Sequence, residues 1–178
     1  LSLSGFVAEP MIALTDPKNH ADFLAGLATS MHHAQRLGAK VLIAQAGNDL
    51  PDHSREEQHD ALVHCLRAAA DILEGSGVRL GVEPLNTLID HPGYYLSSTR
   101  EALNIVDEVG RPEIGVVYDL YHSYVMGEKI EDVLQDRVSR IVHAHVADHP
   151  GRNDPGLGEI DLGARLAWLY ANGYDGAV

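Results

Sequence analysis

One cysteine, Cys65, stands among the 178 residues. An internal disulfide is therefore excluded, and a reducing compartment is the default. No apolar run approaches the roughly 18 to 20 residues of a membrane span, and no basic-then-apolar leader opens the chain. Basic residues are scarce: 13 Lys and Arg against 26 Asp and Glu give a formal net charge of −13. So acidic a chain repels a phosphate backbone, which argues against nucleic acid as a partner. Neither a G-x-G-x-x-G turn nor a P-loop occurs, so the glycine-rich first turn of a doubly wound nucleotide fold is missing. Nor is there a linker, a low-complexity tract or a short repeat. These absences lead us to expect a cytoplasmic protein with one domain over residues 1–178 and no membrane or nucleic-acid partner.

What is present is an alternation of apolar, β-branched runs with helical patterns. Strands are expected at Leu1–Val7, Ala39–Ala46, Val78–Val82, Ile114–Tyr118, Arg140–Val146 and Gly176–Val178. They are continuous apolar runs, as in strands covered on both faces. Between them lie helix signals. Asp16-Pro17 is an N-cap with proline at the first helical position, and Gly38 ends that helix. Ser54-Arg-Glu-Glu57 and Ser98-Thr-Arg-Glu101 read as capping boxes, with stops at Gly75, Gly77 and Gly110. Shorter helices are expected around Ile130–Arg137 and Leu162–Asn172. Repeated βα units of this kind make a parallel sheet, open or closed into a barrel.

The polar residues decide between these two. Successive strands end in Gln45 with Asn48, Glu83 with Asn86, Asp119 with His122, and His143 with His145 and Asp148. Chemistry spread over the carboxyl ends of several strands is the pattern of a (β/α)8 TIM barrel. The chain starts and stops inside strand-like runs, so we expect a barrel truncated at both ends.

Glu83, at the end of a buried strand and before Pro84, must find a cation or hydrogen-bond donors. An ion pair to Arg or Lys would also satisfy it. Asp119 could simply cap the next turn. Alternate strand residues share a face, so His143 and His145 point together. Taken together, Glu, Asp and His on neighbouring strand ends form a nitrogen and oxygen donor set suited to Mn²⁺, Mg²⁺, Co²⁺ or Zn²⁺, with positions left for substrate oxygens. A divalent ion there would stabilise an enediolate, with a nearby carboxylate as the base. His32-His33 reads as a solvated helix flank, Glu159 as an exposed turn residue and Cys65 as helix packing.

Val-Glu83-Pro-Leu-Asn86, Tyr-Asp119-Leu-Tyr-His122 and the run His143-Ala-His145-Val-Ala-Asp148-His-Pro-Gly-Arg152 through Glu159-Ile resemble the hydroxypyruvate isomerase family, within the xylose-isomerase-like sugar isomerases and epimerases. The resemblance spans essentially the whole chain. It implies a TIM barrel of which strands three to seven and the start of the eighth are present, with one divalent metal ion. It implies that Glu83, Asp119 and His145 hold the metal, that Glu83 is also the catalytic acid/base, and that His122, Arg152 and Asn86 face the substrate. His143 would stand behind His145 without touching the ion. Hydroxypyruvate isomerases carry Gln where this chain has His145, and a final glutamate is expected just past Val178. The implied partner is a small sugar or hydroxy-keto acid, and the implied assembly a homodimer or homotetramer. Two other readings keep the barrel: a metal-dependent phosphodiesterase resembling abasic-site endonuclease IV, and a non-catalytic sugar-binding relative.

Overall fold

A computed structural model describes residues 3–178. Its single sheet has five parallel strands in chain order: β1 (Gly5–Val7), β2 (Val41–Ala44), β3 (Arg79–Val82), β4 (Ile114–Asp119) and β5 (Ile141–His145). The helices that return the chain are α1 (His20–Leu37), α2 (Arg55–Leu73) and α3 (Thr99–Val109) between the first four strands. Between β4 and β5 come the short α4 (Leu120–Val125) and α5 (Ile130–Leu134), and α6 (Leu162–Ala171) follows β5. Every neighbouring pair is parallel. The result is a curled arc of a TIM barrel with helices outside, as the alternation of patterns and the polar strand ends together predict.

Local chemistry sets the helix ends. Ser54 completes a reciprocal capping box with Glu57 at the start of α2. Asp16 caps a short 3-10 turn, Pro17–Asn19, that leads into α1, and Gly38 closes α1 with left-handed backbone. Ser98 accepts the Glu101 N–H, but the box stays half-made. The Glu101 carboxylate turns instead to the Arg55 guanidinium, at 2.6 and 2.7 Å, because a forked charged partner outcompetes a single backbone N–H.

Two apolar layers flank the sheet. Leu42, Leu80, Val82, Val116 and Ala144 face outward and pack under the helices, with Leu62, Leu66 and Cys65 of α2 and Leu103 and Val106 of α3. Val41, Ile43, Val117 and Val142 form a second cluster on the concave side. The concave side is tight because Gly81 and Gly115 stand where β3 and β4 meet those valines. A Cβ on Gly81 would come 2.6 Å from a Val117 methyl. A register shift between Val116 and Val117 swings Val142 inward, and His143 and His145 keep the inward direction beside Val117 and Asp119.

One expected strand changes, another lies partly outside the described residues, and one helix goes beyond the expectations. Leu1 and Ser2 of the first expected strand lie outside the described residues. Gly176–Val178 is not a strand; it meets β5 through one backbone bond, from the Ala144 N–H to the Ala177 carbonyl at 3.3 Å, too little for a ladder. The run after Asp119 is the helix α4, which the apolar pattern is too short to announce. No helix among the described residues is long and apolar enough to cross a membrane.

Candidate active site

The carboxyl ends of β3, β4 and β5 put three polar side chains on one level of the concave face. Glu83 directly follows β3 and extends its ladder by donating its N–H to the Ala44 carbonyl at 3.1 Å. Asp119 ends β4 and lies in register with His145 at the end of β5. Asp119 also starts α4: its Oδ1 accepts the N–H groups of Tyr121 at 2.8 Å and His122 at 3.1 Å. The two alternatives for Asp119, capping a turn and joining a site, therefore hold together, one on each oxygen. The cap fixes the carboxylate so that Oδ2 faces the concave side.

Around Oδ2 the groups converge. His145 donates from Nδ1 to Glu83 Oε1 at 2.7 Å and stands 3.9 Å from Asp119 Oδ2. Arg152 Nη2 donates to the same Asp119 oxygen at 3.0 Å, and its guanidinium lies over the Tyr121 ring, 5.6 Å from the centroid. His122 Nε2 is 3.7 Å from Asp119 Oδ2. Glu83, Asp119 and His122 are 6%, 3% and 1% exposed. Each offers one donor atom, and the three lie within 4.8 Å of one another, so the group could hold a metal ion. Two buried carboxylates with the His145 imidazole beside both of them are also a donor set that fits a hard or borderline divalent cation.

Burial and charge pull the three histidines of this wall apart. The hydrogen bond to Glu83 and the negative carboxylates hold His145 above the ordinary imidazole range, against the opposing pull of burial. Burial holds His122 below it, more than Asp119 and Glu83 can restore. His143 is lowered by burial and by His145, whose ring it meets edge-on at 5.0 Å. His143 thus stands beside His145 on the strand, its buried Nδ1 without a partner among the described residues.

Two loops frame the cluster. After β3, Asn86 is fully buried and its amide is wholly occupied by Asp90, His122 and two backbone N–H groups. Among the described residues the polar atoms of this side chain thus all meet partners within the protein, whereas the resemblance implies that Asn86 faces the substrate. After β5, Asp148 is inaccessible and accepts four backbone N–H groups, from His149, Gly156, Gly158 and Ile160, at 2.8 to 3.1 Å. That carboxylate folds the loop which delivers Arg152, itself in left-handed backbone at φ 55°, to Asp119. Glu159 is exposed.

Sequence reasoning passed over Asp90, His91, Tyr94 and Tyr121. Tyr94 accepts the Ala46 N–H at 2.7 Å and donates to the Glu83 carbonyl at 3.2 Å, tying the ends of β2 and β3 together. The His91 ring lies 5.4 Å from that of His122. The run Asp90-His-Pro-Gly-Tyr94 looks like a plain turn, and nothing in its local pattern shows that it folds back over His122.

Among curated proteins, hydroxypyruvate isomerase of Escherichia coli K12 is 33% identical over 162 residues, which are 91% of this chain and 62% of that protein. The chain thus spans about three fifths of that relative's length. Among solved structures, the AP endonuclease family 2 protein of Brucella melitensis superposes with a TM-score of 0.91 at 27% identity, covering 100% of this chain and 71% of the other. The IOLI protein, solved with a bound zinc atom, superposes at 0.80 with 28% identity, covering 100% and 65%. The family model described as Xylose isomerase-like TIM barrel matches residues 1–178. Strand order, the placement of polar groups at one end of the sheet and this match agree, and the chain belongs to the xylose isomerase-like TIM barrel family.

Proposed function

We propose that this chain carries the main part of the active site of a metal-dependent isomerase or epimerase for a small hydroxy-carbonyl compound or sugar. The supporting observation is the convergence of Glu83, Asp119 and His145 at three neighbouring strand ends, with Arg152 beside them. A divalent cation held by Glu83, Asp119 and His145 would supply Lewis-acid polarisation of two adjacent substrate oxygens. The donor set admits Mn²⁺, Mg²⁺, Co²⁺ or Zn²⁺, and the zinc of the IOLI protein supports the last. Glu83 takes the proton from the carbon between hydroxyl and carbonyl, leaving an enediolate, and returning it to the neighbouring carbon completes the isomerisation. His122 and Arg152 bind substrate oxygens. Arg152 is the cation available for a carboxylate or a terminal hydroxyl once its hold on Asp119 is shared.

The relative named hydroxypyruvate isomerase supports a three-carbon hydroxy-keto acid. A net charge of −13 speaks against a DNA substrate. The test supplies Mn²⁺ to the full-length protein and follows solvent deuterium entering hydroxypyruvate and free ketoses. Exchange is expected, and Glu83→Gln should slow it by about 100-fold or more. No exchange on any of these compounds rejects the enediolate chemistry, and full exchange by Glu83→Gln rejects the base.

A further inference from the structure

The proton on His122 can be placed from its neighbours. Asn86 Oδ1 accepts two backbone N–H groups, from Ile89 at 3.1 Å and Asp90 at 3.0 Å. Exchanging the amide oxygen and nitrogen would set an NH₂ group against two donors, so the orientation of this amide is determined. Its Nδ2 therefore carries two hydrogens to two acceptors. One is Asp90 Oδ2 at 2.6 Å and the other is His122 Nδ1 at 2.7 Å. The backbone N–H of Asn86 points to the same Nδ1 at 3.2 Å. A ring nitrogen receiving two donors carries its lone pair there, so the ring proton sits on Nε2. That Nε2 is buried, has no hydrogen-bond partner among the described residues and lies 3.7 Å from Asp119 Oδ2.

We infer that Asn86 is a positioning residue: it fixes the tautomer of His122, so that His122 presents an N–H to the site and is not a ligand of the cation. Distance alone would admit His122 to the ligand group with Glu83 and Asp119. Proton inventory removes it, because binding a cation through Nε2 would strip the ring of its only N–H and leave an imidazolate. His145 is different. Its Nδ1 lies between Glu83 and Asp119, and among the described residues no donor points at its ring nitrogens, so its proton can sit on Nε2 and leave Nδ1 free for the cation. The inference bears on the proposed isomerase through the make-up of its cation site, but the position of a ring proton is measurable without turnover.

The test is a long-range ¹H–¹⁵N correlation spectrum of the full-length, histidine-labelled protein at about pH 8, above the ordinary imidazole range. His122 should show a protonated Nε2 and an unprotonated Nδ1. Adding Zn²⁺ alone should shift His145 and leave the His122 N–H in place. Asn86→Ala should move the His122 signals toward a mixture of tautomers, and Asn86→Ser serves if the alanine variant does not fold. A His122 protonated on Nδ1, loss of its Nε2 proton on adding Zn²⁺, or a spectrum unmoved in the Asn86 variants overturns the inference. The expected tautomer with no response of His145 to Zn²⁺ upholds the role of Asn86 and counts instead against the cation of the proposed function.

Discussion

His122, His143 and His145 share one wall of the barrel, yet their protons answer to different neighbours. Glu83 holds His145 charged to higher pH than usual, while burial keeps His122 and His143 neutral to lower pH. The consequences for stability have opposite signs. A raised folded-state pKa stabilises fully below the unfolded value of about 6.5, and that contribution is lost as pH rises through the folded pKa. A depressed one leaves stability intact above the unfolded value, and it is lost as pH falls from there toward the folded pKa. Without metal, the folded chain should therefore lose stability as the pH falls below about 6.5, where His122 and His143 lose their contribution while that of His145 is already complete. His143→Gln should make that loss shallower, and His145→Gln should instead remove the loss that sets in as the pH rises above about 6.5. Urea midpoints measured across this range in the presence of a chelator decide it, and equal slopes in the three proteins would refute the assignment of these protons. Sequence alone could bring Glu83, Asp119, His143 and His145 to one end of the sheet, because the first two close apolar strand runs and the last two share a strand face. It could not place Asn86 behind His122, since that depends on how the loop from Asn86 to Tyr94 folds back.

At the scale of elements, the legible features were those fixed within a few residues. The Ser54 box, the Asp16 cap and the left-handed Gly38 and Gly110 can be read from local chemistry, and the strands were anticipated to within two residues at most of their ends. What was not legible depended on partners far along the chain. Arg55 takes the Glu101 carboxylate from 46 residues away, and the bulge at Val142 is a matter of packing against Gly81 and Gly115. That packing gives glycine two opposite meanings. On Gly115 a Cβ would stand 2.2 Å from a Val142 methyl and 2.7 Å from the Arg140 carbonyl oxygen. The backbone oxygen cannot rotate away, so Gly115→Ala should cost about 1–3 kcal/mol. At Gly163, exposed in the first turn of α6, the nearest atom to a Cβ is Asp161 Oδ1 at 3.6 Å. There alanine fits the helix better than glycine, and Gly163→Ala should stabilise by about 0.5 kcal/mol. Unfolding midpoints of both variants check the pair, and destabilisation of equal size at both sites would contradict the tight concave face.

For the molecule as a whole, the alternation of patterns conveys a parallel sheet, and the curl comes from the twist and tilt of the strands. The strand order β1-β2-β3-β4-β5 leaves β1 and β5 as edges. Among the described residues β1 pairs with β2 alone, and the free side of β5 receives the chain only at Ala177. Unpaired backbone along an edge is a template for another strand, and the valines of the concave face lie beside it. Against this stands the net charge of −13, which keeps like chains apart. The two forces respond to salt differently. The screening length falls from about 30 Å at 0.01 M to about 8 Å at 0.15 M ionic strength, whereas strand pairing and apolar burial are not weakened over that range. The 178-residue chain should thus be nearly monomeric in dilute salt and associate increasingly as salt is added. Sedimentation velocity at several protein concentrations measures this. Association that melts away with salt would mean that ion pairs, not open edges, join the copies, and a monomer under all conditions would mean that the edges are closed to pairing.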